Sequence, residues 1–219
     1  GIQCENWPLV PDAETSNAWL KLKNVKIRNC SVAGILSRNF RIKATNLLVG
    51  DCGQFGVALT GGGEYKFNHM TVANYWDFGV RNDPSFVMTN TYADITNTLQ
   101  VREILPSTFE NSIINGSNTN EFKLEFNDLD IPQAGDLRFE SVLFRTDQST
   151  SGDYFPDQNA IWRNQTPGFR NVTDRDFHLN ENAFVRNKGQ ATLDFDAVND
   201  LDGVDRADGQ PDLGCYEFP

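Results

Sequence analysis

The chain has 219 residues, 39% of them hydrophobic and 22% charged, and a formal net charge of −11. That balance argues against a disordered tail, and the acidic surface argues against nucleic acid as a partner, because a phosphate backbone requires a basic face. No apolar run approaches the roughly 20 residues that span a bilayer, so no transmembrane segment is expected, and the first residues lack the basic and apolar regions of a signal peptide.

Residues 1–18 read as a lead-in. From Trp19 onward the sequence repeats. Laid over one another without gaps, residues 20–38, 42–60 and 65–83 bring Leu20, Ile42 and Tyr65 into one column and Leu22, Ala44 and Phe67 into the next. Val25, Leu47 and Met70 align, as do Ile27, Val49 and Val72, at spacings of 22 and 23 residues. Apolar and polar residues alternate within each repeat, which is the period of a strand with one face inward. A repeat this short holds no useful helix and cannot bury its apolar side alone, so neighbouring repeats must stack. The predicted fold is all-β: a right-handed parallel β-helix, a solenoid of about six coils of about 21–23 residues each, over residues 19–145.

The weaker continuation runs at steps of 21, with Asn90 and Asn111 under Asn24, Asn46 and His69, and with Met88 and Phe109 under Leu22, Ala44 and Phe67. A further strand at 137–144 fits if about nine residues precede it, which predicts a loop projecting near 118–135. Residues 146–219 read as an irregular, loop-rich closing segment. The Asn columns have a structural explanation, since Asn accepts turn conformations and bonds neighbouring backbone. Gly34, Gly56 and Gly79 form a column that predicts a tight corner with positive φ. Cys4, Cys30, Cys52 and Cys215 form no CxxC pair, so a zinc site lacks support. Cys30 and Cys52 share a column, where a disulfide and two stacked thiols are both open.

Candidate chemistry is sparse. Lys21, Lys43 and Lys66 align into an outward ladder. Such a row can grip an anionic glycan, and it serves equally as a solvated face whose charge blocks edge-to-edge aggregation. Trp76, with Tyr75, Phe78 and Trp162, offers rings for stacking on a pyranose. Asp51, Asp77 and Asp83 lie on adjacent coils, but Asp51 shares the turn column of Asn29 and Asn74. Two histidines, His69 and His178, suggest no Ser-His-Asp triad. Catalytic residues remain unassigned.

The C-terminal residues carry a resemblance. Asp200-Leu-Asp-Gly-Val-Asp-Arg206 followed by Pro211-Asp-Leu-Gly-Cys-Tyr-Glu-Phe218 resembles the closing motif of secreted bacterial right-handed β-helix proteins of the pectate-lyase-like group, Asp-x-Asp-Gly-x-x-Arg and then Asp-Ile-Gly-Ala-Tyr-Glu. Asn164-Gln-Thr-Pro-Gly-Phe169, Asp176-Phe-His-Leu179 and Asn111-Ser-Ile-Ile-Asn-Gly116 are similar to other segments of that group. Gly168, Cys215 and the stretch 182–189 depart from its pattern, as in a divergent member. The resemblance implies a secreted or cell-surface bacterial module, the C-terminal portion of a larger solenoid, associated with carbohydrate. It leaves three functions open: a non-catalytic module, a polysaccharide lyase or glycoside hydrolase acting on an acidic glycan, and an adhesin with a protein partner. A shared fold does not choose among them. The reading leans to the non-catalytic module, since no acid, base and cation stand together.

The tail also has a reading of its own. Asp194, Asp196, Asp200, Asp202, Asp205, Asp208 and Asp212 crowd together, which makes Asp200, Asp202 and Asp205 candidates for a calcium ion. The EF-hand spacing fails, and the alternative is a hydrogen-bonded turn closing the last coil, with no cofactor.

Overall fold

The computed structural model describes residues 1–6, 14–191, 197–206 and 210–219. It is all-β, and nearly all strand pairing is parallel. The chain forms β1 (Ile2–Glu5), β2 (Trp19–Cys30), β3 (Ala33–Cys52), β4 (Phe55–Asn74) and β5 (Phe86–Thr89). There follow β6 (Thr91–Ala93), β7 (Leu99–Val101), β8 (Ser107–Gly116), β9 (Phe122–Glu125) and β10 (Leu137–Phe144). The last three are β11 (Ile161–Arg163), β12 (Phe169–Asn171) and β13 (Asp176–Leu179). Among the described residues, nine of these strands join one sheet, while β6–β7 and β12–β13 are antiparallel pairs.

The register reproduces the sequence columns over the first three long strands. Leu22 pairs with Ala44, and Ala44 with Phe67. Ile27, Val49 and Val72 follow one another in the same way. Single residues in the left-handed region bend these strands: Asn24, Asn46, His69, Asn111 and Ser141 have φ of 53°, 51°, 54°, 48° and 53°. Asn tolerates that conformation because its short polar side chain bonds locally. Here Asn46 Nδ2 donates to Asn24 Oδ1 at 2.9 Å.

Beyond β4 the steps change. Following one column, Lys26, Leu48, Thr71, Ile113, Leu143 and Trp162 succeed one another at 22, 23, 42, 30 and 19 residues, so the 21–23 spacing belongs to the first strands only. Asn90 and Met88 are corrections. Phe67 pairs with Phe109, and Met88 pairs instead with Leu59 on an earlier run of β4. The β6–β7 hairpin fills the difference. Asn90 has no left-handed φ and holds the 127–130 turn, donating to Asp130 O at 2.6 Å. The predicted loop near 118–135 is shorter than expected, because β9 pairs with β5 and buries Phe122. Only 126–136 extends outward, with Leu129 84% exposed. The lead-in is part of the sheet too, Ile2 pairing with Ile35.

The glycine column also needs correcting. Gly34 and Gly56 lack positive φ; a Cβ at Gly34 would sit 2.4 Å from Val49 Cγ1, and one at Gly56 2.7 Å from Val72 Cγ1. Close approach to the core requires glycine there. Gly79 stands outside the column, on an exposed stretch after β4.

The core between the inward faces changes character along the sheet. Leu22, Ile35, Leu47, Val49 and the free thiols of Cys30 and Cys52 fill the early part. Phenylalanines fill the later part: Phe67, Phe109 and Phe139 stack at 5.3 and 4.7 Å, Phe155 stacks on Phe139 at 5.4 Å, and Phe86, Phe122 and Phe144 pack edge-on around them. All four cysteines are free and buried; burial and the neighbouring Cys30 push the Cys52 thiol up to about 12.

A second core explains the C-terminal segment. Leu48, Ala73, Ile113 and Leu143 face outward from the sheet and are covered by Phe169, Phe177, Leu179, Val185, Leu213 and Cys215. The segment therefore lies along the flank, touching strand after strand. Lys26 meets Asp202, Asn46 meets Asn199, and Asn111 meets Gln190.

Candidate functional site

The lysine ladder exists. Lys21, Lys43 and Lys66 are in register, and Thr108 and Arg138 continue the column. Lys21 and Lys66 are exposed and Lys43 is half-buried. The columns beside it carry Trp19, Arg41 and Glu64 on one side and Lys23 and Thr45 on the other. Glu64 accepts from Lys66 at 2.7 Å and faces Arg41 at 3.6 Å. The Trp19 ring lies under both cations, 5.0 Å from Lys66 Nζ and 5.9 Å from the Arg41 guanidinium. Across β2–β4 these three columns hold Lys21, Lys23, Arg41, Lys43 and Lys66 and, among the described residues, one carboxylate, Glu64. Farther along the charge balances, with Glu110 and Glu140 in the Lys23 column and Arg138 paired to Glu140 at 2.6 Å.

Trp76 is not part of this face. It follows the far end of β4, half-buried, with its ring 5.0 Å from Phe78, which is 76% exposed. The aromatic that meets the lysines is Trp19, not one of the rings expected to stack on a sugar. Its signal was the alternation Trp19, Lys21, Lys23 on one face of a strand.

The acidic candidates have structural work. Asp51, with φ 53° and its side chain 1% exposed, lies between Arg28 at 3.0 Å and Arg175 at 2.8 Å. Asp77 shares Arg175 at 2.7 Å, and Asp83 lends its carbonyl to Arg81. Asp200 closes a turn: Oδ1 accepts from the backbone N–H groups of Asp202 and Val204, and Oδ2 from that of Glu217, all at 2.8 Å. Asp202 faces His178 Nε2 at 2.7 Å and Lys26 at 2.9 Å. The hydrogen bond from His178, with that from Lys26, holds its carboxyl below the usual range. Asp205 bridges Asn199 through the backbone. Asp194, Asp196 and Asp208 lie outside the described residues.

His69 is structural as well. Nδ1 is 3.1 Å from Gly214 O and so carries the proton, leaving Nε2 to accept from Asn111 Nδ2 at 3.3 Å. Burial, and then the Arg206 charge, hold its pKa well below the ordinary value, so the ring is neutral. Arg206 is itself buried against Glu217 at 2.5 Å and donates to Asn46 Oδ1 and Gly214 O.

A second place stands out, lined by two of the segments that carry the resemblance but centred on an arginine outside both. Where β8 and β10 end, Arg145 follows Phe144 and neighbours Asn115, since Phe144 pairs with Ile114 and Arg145 N–H donates to Ile114 O at 2.9 Å. Both lie in a cleft of about 470 Å³ between the sheet's flank and the chain at 164–167. Tyr75 lines it and donates through Oη to Asn115 Oδ1 at 2.8 Å. Burial pushes the Tyr75 phenol up to about 12, against the opposing pull of the Arg145 charge.

No family model, curated protein or solved structure matches the chain.

Proposed function

We propose that this chain is a right-handed parallel β-helix module of a secreted or cell-surface bacterial protein, and that it holds an acidic polysaccharide along the lysine face without transforming it. Parallel registers of 22 and 23 residues, with left-handed corners in columns, support the β-helix, and parallel crossovers are right-handed almost without exception. The observation that carries the function is the local charge. On the outer face of β2–β4 a chain of net −11 aligns Lys21, Lys43 and Lys66 in one column beside Arg41, at the strand spacing of about 4.8 Å, with a tryptophan at the edge and Glu64 the one carboxylate of those columns among the described residues. Clustered cations that repel one another are stabilised by a polyanion laid across them.

The test is co-sedimentation or calorimetry with polygalacturonate and alginate, against neutral glucan. Binding should weaken about tenfold or more in a Lys21→Ala/Lys43→Ala double variant and fall steeply with salt. Equal binding of the neutral glucan, or no effect of the double substitution, would sink the proposal. Unsaturated products whose formation is lost in Lys43→Ala would overturn its non-catalytic part.

A further inference from the structure

We infer that the cleft at Arg145 is a binding site for the carboxylate of a single sugar acid, a uronate unit, separate from the lysine face. The guanidinium of Arg145 has no hydrogen-bond acceptor and no carboxylate partner among the described residues. The chain's other arginines are all committed. Arg28, Arg38, Arg41, Arg81, Arg138, Arg170, Arg175 and Arg206 face carboxylates, and Arg102, Arg163 and Arg186 donate to carbonyls. Arg145 is half-buried nonetheless, so its charge is partly desolvated without compensation.

The surroundings say what would compensate it. A guanidinium presents a planar fork that matches a carboxylate with two parallel hydrogen bonds. Beside it, Asn115 uses its oxygen for Tyr75 and has an amide nitrogen that meets no acceptor among the described residues. A third donor is thereby aimed at the same space. The rim holds Thr119, Asp147, Gln165 and Thr166. Asp147 takes Asn120 Nδ2 on Oδ2 at 3.1 Å, which leaves Oδ1 to accept. A carboxylate beside an anion site is unfavourable to a bare anion but suits a ligand that offers hydroxyls on its far side. Hydroxyl and amide walls of this kind suit a polyol and leave little for a lipid or an aromatic ligand. A volume of about 470 Å³ is that of a small-molecule site.

The choice of a sugar acid rests on the carbohydrate reading above, whereas the anion site rests on Arg145 and Asn115 alone. The experiment is calorimetric titration of the folded chain with galacturonate and glucuronate, with galactose and acetate as controls. Uronate should bind, and galactose and acetate should bind about tenfold or more weakly. Arg145→Gln should lose about tenfold or more, and Arg145→Lys, which keeps charge without the fork, should recover part of it. Because the side chain has no hydrogen-bond partner to lose among the described residues, neither variant should unfold, which a thermal melt checks. The Lys21→Ala/Lys43→Ala variant should bind free uronate like the parent while losing the polymer, so failure of this site and failure of the lysine face are told apart. Wild-type affinity in Arg145→Gln, or equal binding of galactose, would overturn the site. Acetate binding as tightly as uronate would overturn the sugar assignment.

Discussion

The interior of the sheet and the segment on its flank are held by opposite means. Inside, each residue lies over a similar one in the next strand, so the same apolar contact is made many times. On the flank, the segment from Phe169 onward is fastened by contacts that each occur once. Arg206 pairs with Glu217, Asp200 staples a turn, Arg175 reaches Asp51, and His69 meets Gly214. Repetition spreads a defect over neighbours, whereas a single anchor concentrates it. The flank is therefore where one substitution should separate part of the molecule from the rest.

The largest effect should come from removing an interior ring at the point where three others meet it. Phe109→Ala, facing Phe67, Phe86 and Phe139, is expected to cost about 3–5 kcal/mol. Denaturant titration should show it as a loss from the whole domain in one transition. Arg206→Ala should cost about as much, roughly 3–5 kcal/mol, because it removes the guanidinium that balances the buried charge of Glu217, whose side chain is 1% exposed and keeps the Asp212 N–H. Its signature should differ: hydrogen exchange would rise along 197–206 and 210–219 while β3 and β4 stay protected. A uniform rise across both would break the comparison.

A pH series sharpens it further. Below about 6.5 the unfolded chain takes a proton at His69 and the folded protein does not. Protons thus favour the unfolded state, and stability should fall by about 1.4 kcal/mol for each pH unit below about 6.5 until the folded-state pKa is reached. The groups around the ring are Arg206, whose charge opposes protonation, and the neutral Asn111 and Gly214. His69→Asn should flatten that slope between pH 6.5 and 5, and an unchanged slope would reject the assignment. The smallest effect belongs to the solvated face: Lys66→Ala removes a partly exposed ion pair with Glu64, which keeps Arg41 nearby, and should change stability by less than about 1 kcal/mol. A larger loss would show that the lysine face is structural.

Much of the candidate site was legible, and for a local reason. Lys21, Lys43 and Lys66 could be aligned because their spacing is the spacing of the strands that carry them. Trp19 was on the page in the same alternation. Arg145 was not, because nothing in the sequence around it distinguishes an arginine that meets no carboxylate among the described residues from one that has found a carboxylate. The covered flank did leave a trace: Leu47-Leu-Val49, Ile113-Ile114 and Val142-Leu-Phe144 are apolar on consecutive residues, which marks strands buried on both faces.

By itself, the sequence determined the strands, their inward faces and their left-handed corners over β2–β4, since a stacked repeat writes its period directly into the chain. The tertiary structure decided the rest. It paired Phe67 with Phe109 across 42 residues, turned Met88 to Leu59, and laid the C-terminal segment along the side of the sheet. Insertions between strands have no period, so only the packing of large rings and the burial of the outer apolar column could settle which strands meet.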